Sequence, residues 1–259
     1  MTIHPAAFQR GTEFDGKVAL VTGATRNIGR SIALSLAAGG ASVAVNARAS
    51  QAEGDKVVAE IAAAGGKAAT FVADISDEAA DKAMVEAAVK RFGRLDYLVL
   101  NASVRKQTPI TDMTFEEWRR IMSISLDGSF HLVKAALPHM IEAGSGAIVI
   151  LGGMMALAGA KNRVHGSVVK HGLIGMTRAL ALDLAQYHIR VNCVSLGQMN
   201  TSTEVGKDVA QRPAPSPQVP LGNKGEPEEV AAVVRFLCGP GASFVSGQTV
   251  HVNGAQMMY

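Results

Sequence analysis

Cysteine, tyrosine and net charge are all scarce in this chain of 259 residues. Its two cysteines, Cys193 and Cys238, are too few for a disulfide scaffold or a four-thiolate zinc site. Their apolar surroundings predict two core residues. The net charge is only +3 and no cluster of Lys and Arg is present, so we expect neither nucleic acid nor an anionic membrane surface as a partner. We predict no bound metal.

Signals for export or membrane insertion are also lacking. The first 16 residues, MTIHPAAFQRGTEFDG, contain no apolar run of the kind that secretory signals carry. Residues 143–160 are 18 consecutive uncharged positions, the lower limit for a membrane span. The five glycines among them favour a buried strand that runs into a glycine-rich loop. We therefore predict a cytoplasmic protein with no membrane partner.

Apolar sequence, in contrast, is abundant and arranged in short alternating segments. Hydrophobic residues make up 48% and charged residues 18% of the chain, which excludes a disordered protein. Repeated strand–helix–strand units predict an α/β fold with a parallel sheet and helices on both faces. The strands are predicted at 17–22, 41–46, 67–74, 96–102, 147–151, 188–196 and 248–253. The helices are predicted at 29–40, 50–66, 76–93, 114–137, 165–187 and Pro227–Cys238.

No break in composition divides the chain into two parts. We predict a single domain over residues 16–259, preceded by an N-terminal extension at 1–15. Ser76 is the predicted N-cap of the third helix, and Thr114 with Glu117 forms a predicted capping box. Residues 200–224 contain four prolines and follow the carboxyl end of a strand, where open α/β sheets bind ligands. We predict a lid or substrate loop there.

A glycine-containing turn lies between the first strand and the first helix, in the segment Thr22-Gly23-Ala24-Thr25-Arg26-Asn27-Ile28-Gly29. Backbone N–H groups and a helix N-terminus at such a turn suit a pyrophosphate. Gly23 allows the tight turn, and Gly29 lets the helix pack close to the strand. Asn27 occupies the middle position, where a glycine is usual; Asn tolerates positive φ, but its side chain would crowd the phosphates.

The end of the second strand predicts which dinucleotide binds. A site for NAD usually has Asp or Glu about 20 residues after the glycine turn, where it binds the ribose 2′-hydroxyl. Here the strand ends Val45-Asn46-Ala47-Arg48 without an acid. Arg26 and Arg48 instead offer positive charge to a 2′-phosphate, which favours NADP over NAD. The alternative is that both arginines are simply solvated.

These motifs together resemble the short-chain dehydrogenase/reductase family, close in layout to the β-ketoacyl-carrier-protein reductases. The resemblance covers about residues 16–255. It rests on TGATRNIG at 22–29, AD at 73–74, LNAS at 100–103, Lys170, IRVN at 189–192, LGQMNT at 196–201 and GQTVHVNGA at 247–255.

The resemblance implies a Rossmann-type doubly wound fold with a seven-stranded parallel sheet, an oxidoreductase activity on a small-molecule carbonyl or alcohol, and a homo-oligomer, either a tetramer or a dimer. It implies an adenine pocket at Asp74 and Ile75, and nicotinamide-side contacts from Asn101, Ala102, Met199 and Thr201. The full predicted NADP(H)-binding set is Gly23, Thr25, Arg26, Asn27, Ile28, Gly29, Asn46, Arg48, Asp74, Ile75, Asn101, Ala102, Lys170, Gly197, Met199 and Thr201.

The catalytic positions depart from the family pattern of Asn, Ser, Tyr and Lys. The Tyr-x-x-x-Lys motif ends at Lys170, which places Gly166 at the tyrosine position. The serine position, 13 residues before the tyrosine, is Gly153, and the asparagine position is Ser125. Only Lys170 is retained.

The three tyrosines of the chain do not fill the vacant position within one subunit. Tyr97 begins a predicted strand, Tyr187 ends a predicted helix and Tyr259 is the last residue. Tyr259 remains open as a residue that reaches across an oligomer interface.

Three residues are our catalytic candidates: Lys170, Ser125 and His165. Lys170 is also expected to hold the nicotinamide ribose. His165 lies next to the vacant position, and histidine is a common general acid or base in enzymes. Each has a plain alternative as a helix residue. Arg105 and Lys106 follow the fourth strand at the predicted pocket rim, where they would hold an anionic substrate or be solvated. Met154 and Met155 are expected to line or plug the pocket.

Losing the tyrosine and serine removes the usual proton donor and the group that polarises the carbonyl oxygen, which is worth about 10²–10⁴ in rate for a well-placed acid. The first hypothesis is an NADP(H)-binding enzyme with altered chemistry, either reduction with water or His165 as proton source, or a non-redox elimination or isomerisation. The second is a catalytically inactive binding module or structural subunit.

Overall fold

The computed structural model describes residues 8–201 and 219–258. Seven strands form one parallel sheet in the order β3-β2-β1-β4-β5-β6-β7. The strands are β1 (Val18–Val21), β2 (Ser42–Ala47), β3 (Lys67–Val72), β4 (Tyr97–Leu100), β5 (Gly146–Leu151), β6 (Ile189–Leu196) and β7 (Thr249–Val252). Each lies within two residues of its predicted bounds, so the predicted parallel α/β sheet is confirmed.

Helices cover both faces of the sheet, as predicted. The bounds are α1 (Asn27–Ala38), α2 (Gln51–Ala63), α3 (Glu78–Phe92), α4 (Phe115–Met122), α5 (Gly128–Glu142), α6 (Met155–Ala158), α7 (Val164–Leu184) and α8 (Pro227–Cys238). Side chains alternate across β1: Val21 packs with α1, α2 and α8, and Leu20 packs with α3, α5 and α7. Both faces are therefore buried, which explains the continuous apolar strands.

Two details of the helices differ from the prediction. The N-cap of α3 is Asp77, not Ser76: Asp77 Oδ1 accepts hydrogen bonds from the N–H groups of Ala79 and Ala80, while Ser76 Oγ donates to Asp74 Oδ1. The helix predicted at 114–137 does begin at Thr114, whose hydroxyl accepts from the Glu117 N–H. It is interrupted by a π-helical turn at Ser123–Asp127 and continues to Glu142.

The uncharged stretch 143–160 forms the predicted strand β5 and the short helix α6. The helix α6 was not predicted, since a glycine-rich loop was expected there. Among the described residues, no helix has the length and apolar character needed to cross a bilayer.

The described part of the predicted N-terminal extension packs on the domain. Phe14 is fully buried, its ring meets Tyr97 edge-on at 5.2 Å, and its N–H donates to Gly39 O. The boundary at residue 16 stays a prediction. Most of the predicted lid, residues 202–218, lies outside the described residues.

Candidate functional site

The turn between β1 and α1 is tight and needs two residues that accept positive φ. Gly23 has φ of 59° and Asn27 has φ of 47°, so the prediction that asparagine supports the turn is confirmed. A Cβ on Gly29 would lie 2.2 Å from Gly23 O. Only glycine therefore permits this packing of the helix start on the turn.

Polar side chains lock this turn to the ends of β1 and β4. Asn101 Nδ2 donates to Thr22 O at 2.8 Å and to Gly23 O at 3.1 Å. Thr22 Oγ1 accepts the N–H groups of Asn101 and Ala102. Because β1 and β4 are the strands at which the sheet order reverses, these contacts shape the crevice in which α/β sheets bind ligands.

Asn46 acts from beneath the turn. Its side chain is buried, its Oδ1 accepts the Gly23 N–H at 3.0 Å and its Nδ2 donates to Ala73 O at 3.1 Å. We predicted Asn46 as a cofactor contact. The structure instead uses its amide to join the turn to the end of β3, so Asn46 positions other residues.

Two arginines border the turn without acidic partners. Arg26 is the N-terminal flanking residue of α1, and Arg48 directly follows β2. Both side chains are exposed, and in the described part of the chain neither forms a hydrogen bond or an ion pair through its side chain. Thr25 is half-buried and Ile28 is buried at the same turn. This edge is thus open to an anion.

The predicted adenine pocket lies at the end of β3. Asp74 is exposed, and its Oδ1 accepts hydrogen bonds from the N–H and Oγ of Ser76. Ile75 is buried, and its carbonyl oxygen would lie 2.2 Å from a Cβ on Gly128 at the start of α5. The segment is fixed by this close contact, with Asp74 left at the surface.

The end of β6 closes the other side of the crevice. Gly197 donates its N–H to Val252 O, and a Cβ on Gly197 would lie 2.6 Å from Asn253 Cα. Met199 is buried, and Thr201 is half-buried at the edge of the described segment. The backbone here approaches the loop after β7 too closely for any side chain at position 197.

Lys170 lies next to Gly153, one of the two glycines that replace the hydroxyl residues. A Cβ on Gly153 would lie 3.9 Å from the Lys170 side chain. A Cβ on Gly166 would lie 3.8 Å from Met155 Cε and 3.9 Å from Arg163 Cβ, so Met155 does line this region as predicted. All of these distances are ordinary van der Waals contacts, which means that both positions have room for a Cβ.

The ammonium group of Lys170 is held in a desolvated place. Nζ donates to Leu151 O at 2.7 Å. Burial lowers the pKa of Lys170 to about 8; nearby Cys193 opposes this decrease, and the positive charge of Arg105 adds to it. A lysine with such a pKa exchanges its proton near neutral pH, which suits acid–base chemistry.

Ser125 lies in the π-helical turn and is almost fully buried. Its Oγ lies 3.4 Å from Ser103 Oγ, and its carbonyl oxygen accepts a hydrogen bond from Ser129 Oγ. Turns of this kind inside helices often occur at functional sites. The hydroxyl of Ser125 contacts the loop after β4, at the base of the crevice.

His165 does not reach the crevice. Its side chain is buried, Nδ1 accepts the Gly166 N–H at 2.7 Å, and Nε2 lies 3.3 Å from Glu117 Oε1. The same carboxylate binds Lys106 Nζ at 2.6 Å and Thr108 Oγ1. The proposed role of His165 as proton source is therefore not supported by its position, and Lys106 is paired with Glu117 rather than free for a substrate.

The two described tyrosines lie at the end of their strand or helix that is remote from the vacant position at Gly166. Tyr97 begins β4 at its amino end and packs on Phe14, and Tyr187 follows the carboxyl end of α7. Tyr259 lies outside the described residues. Neither described tyrosine stands in for the one missing at Gly166.

Arg163 is a site residue that the sequence analysis missed. It precedes α7, and the N–H of Thr108 donates to the carbonyl of Asn162 at 2.8 Å, which joins its loop to the loop after β4. The sequence gives no sign that these two loops meet. The one signal it offered was a basic residue, Arg163, three positions before Gly166.

The described residues contain no group of three or more His, Cys, Asp or Glu side chains arranged to hold a metal ion.

Comparisons with known proteins agree with this geometry. Residues 23–255 match the family model described as "Enoyl-(Acyl carrier protein) reductase". The 3-oxoacyl-[acyl-carrier-protein] reductase FabG of Staphylococcus aureus strain Mu50 is 36% identical over 242 residues, covering 93% of this chain and 98% of the relative. The cyclohexanol dehydrogenase of Acinetobacter sp. strain SE19 is 40% identical over 247 residues, covering 94% and 96%.

A solved dehydrogenase/reductase from Sinorhizobium meliloti 1021 superposes with a TM-score of 0.85 at 33% identity, covering 93% of this chain and 94% of that one. Fold, crevice and relatives converge on one assignment. The chain belongs to the short-chain dehydrogenase/reductase family of nicotinamide-binding oxidoreductases and is similar to the β-ketoacyl-carrier-protein reductases.

Proposed function

We propose that this chain is an NADP(H)-dependent oxidoreductase that acts on a carbonyl or alcohol group of a small molecule, with Lys170 as the group that transfers the proton. The observation that carries the proposal is the setting of Lys170. Its side chain lies next to Gly153, where the serine of the family is absent, and burial lowers its pKa to about 8, so the ammonium group can give up a proton near neutral pH.

The residues at the turn fit a dinucleotide phosphate. The absence of a Cβ at Gly29 lets the start of α1 pack directly on the turn, and a helix N-terminus beside a tight turn suits a phosphate. Arg26 and Arg48 are exposed, lack acidic partners among the described residues and would hold the 2′-phosphate. Asp74 and Ile75 would border the adenine, and Asn101 and Met199 the nicotinamide.

Each step of the reduction then has a partner. When bound, NADPH supplies a hydride to the carbonyl carbon. The Lys170 ammonium hydrogen-bonds the carbonyl oxygen and gives it a proton, so that an N–H bond breaks as the O–H bond of the alcohol forms. The neutral amine regains its proton from water. Ser125, at the base of the crevice, holds the loop that carries Ser103 and positions rather than reacts.

The test is single-turnover oxidation of NADPH at saturating cofactor, with an acetoacetyl thioester and cyclohexanone as probes. We expect Lys170→Met to lower the rate about 10²–10⁴-fold, while Lys134→Met on the exposed face of α5 leaves it unchanged. Since the protonated amine is the acid, the reduction rate should fall as pH rises through about 8. An unchanged rate in Lys170→Met would contradict the proposal.

The second candidate is a protein of this fold that transfers no hydride, either a catalytically inactive subunit or an enzyme with non-redox chemistry. The replacement of three catalytic positions, at Ser125, Gly153 and Gly166, favours it. The double variant Gly153→Ser/Gly166→Tyr discriminates. Turnover of the same probes by the double variant, without turnover by the unaltered chain, would support the second candidate.

We also propose a homo-oligomer, a tetramer or a dimer, in the cytoplasm. Apolar side chains lie exposed on α4 and α7, among them Phe115 at 75%, Val164 at 40% and Val168 at 43%. Such a patch is typical of an association surface. Light scattering on the purified chain measures the assembly, and a monomer at micromolar concentration would contradict it.

A further inference from the structure

A second basic group lies beside the vacant tyrosine position. Arg105 follows β4, in the loop that is joined by the Thr108–Asn162 hydrogen bond to the loop carrying Arg163. Arg163 Cβ in turn lies next to Gly166. Two loops from different parts of the sheet edge are thus held side by side next to Gly166, and the charge of Arg105 acts on both Arg163 and Lys170.

Arg105 has no compensating acid among the described residues. Its side chain is exposed, and no hydrogen bond or ion pair is formed by it in that part of the chain. Glu117, the carboxylate that borders the same loop, is already engaged by Lys106 and Thr108.

The three cations repel one another. Although part of the Arg105 residue is exposed, the protein around its guanidinium group lowers the pKa of that group by desolvation. Burial lowers the pKa of Arg163, and the charge of Arg105 adds to this decrease; Arg105 also contributes to the lowered pKa of Lys170. Concentrated charge of one sign in a cleft attracts a ligand of opposite charge.

We propose that Arg105, supported by the charge of Arg163, binds an oxyanion of the substrate, a carboxylate or a phosphate, beside the gap at Gly166. The planar fork of a guanidinium matches both groups through paired hydrogen bonds. The inference deepens the proposed function, on which it rests, because it gives the reacting molecule a negative group next to its carbonyl. Substrate selection then depends on Arg105, and proton transfer on Lys170.

The test uses matched pairs of probes on the full chain saturated with NADP⁺, which occupies Arg26 and Arg48 but supplies no hydride, so that the probes bind without being reduced. Acetoacetate is compared with methyl acetoacetate, and dihydroxyacetone phosphate with dihydroxyacetone, by calorimetric titration. We expect the anion of at least one pair to bind about 10- to 100-fold more tightly than its neutral partner. Which pair shows the preference tells a carboxylate from a phosphate.

The variant Arg105→Gln should abolish this preference, while Arg91→Gln on the exposed surface of α3 should keep it. Thermal unfolding of both variants checks that they remain folded. Equal affinity for charged and neutral probes in the unaltered chain, or a preference that survives Arg105→Gln, would overturn the inference.

Failure of the proposed function is separately visible, as an unchanged rate in Lys170→Met or as the absence of NADPH binding. The second case needs a further titration, because Arg26 and Arg48 are then unoccupied. The probe titrations are in that case repeated on Arg26→Gln/Arg48→Gln, in which these two unoccupied arginines no longer compete for the anion. A preference there that depends on Arg105 would support an oxyanion site without the cofactor, and its absence would overturn the site as well.

Discussion

A buried carboxyl group in α3 makes the stability of this protein depend on pH. Asp81 is fully buried, and neither of its carboxyl oxygens has a hydrogen-bond partner among the described residues. Burial raises the pKa of Asp81 from 3.8 to about 8, and the negative charges of Asp77 and Asp74 add to the increase. The folded chain therefore keeps this carboxyl protonated at neutral pH, whereas the unfolded chain ionises it near pH 4.

The sign and size of the effect follow from proton linkage. Between pH 4 and about 8 the folded state binds more protons at Asp81 than the unfolded state, so the free energy of unfolding falls as pH rises. The slope from one such group is about 1.4 kcal/mol per pH unit, and the whole window amounts to on the order of 5 kcal/mol. That is a large part of the 5–15 kcal/mol by which domains are usually stable.

Replacing the carboxyl by an amide removes this dependence. We expect Asp81→Asn to gain about 3 kcal/mol on the unaltered chain between pH 5.5 and 8, because the amide does not ionise. Urea unfolding at fixed protein concentration measures it at each pH. The control is Asp183→Asn on the exposed side of α7, which should track the unaltered chain. If the free energy of unfolding varied with pH in parallel for Asp81→Asn and the unaltered chain, a raised pKa of Asp81 would be contradicted.

Two further predictions concern glycines. Gly29→Ala places a methyl group 2.2 Å from Gly23 O and should cost about 1–3 kcal/mol of stability together with much of the NADPH affinity, whereas Gly175→Ala on α7, with no atom within 4 Å of its Cβ, should be tolerated; unfolding and cofactor titration measure both, and equal behaviour would contradict the cradle. Gly153→Ser/Gly166→Tyr should raise carbonyl reduction about 10²–10⁴-fold, because a Cβ meets only ordinary van der Waals contacts at both positions and the variant restores the missing hydroxyl groups; an unchanged turnover rate for the acetoacetyl thioester would contradict it.

The sheet could be predicted because its signals are local. Buried parallel strands are continuous apolar runs, and all seven stand out between glycines and helical segments. The helix ends were harder. Ser76 and Asp77 are both good capping residues, and only the structure shows that Ser76 is hydrogen-bonded to Asp74 instead. The π-helical turn at Ser123–Asp127 was not predicted, and Ser125 within it contacts Ser103 in the loop after β4, which is distant in sequence.

The site was predicted where backbone conformation dictates the residue type and less well where side chains meet across loops. Gly23 and Gly29 follow from the steric needs of the turn. Asn46 and His165 were assigned by adjacency in sequence, but both side chains point into hydrogen bonds within the protein. Arg163 was missed because its neighbour Arg105 is 58 positions earlier in the chain.

The proposed NADP(H) site depends on Arg26 and Arg48 to distinguish NADP(H) from NAD(H). The most direct measurement is a fluorescence titration of the purified chain with NADPH and with NADH, repeated on Arg48→Gln. We expect micromolar binding of NADPH and much weaker binding of NADH. In Arg48→Gln we expect the ratio of the two affinities to fall by about 10-fold or more. Absence of binding by both nucleotides at high micromolar concentration would contradict it.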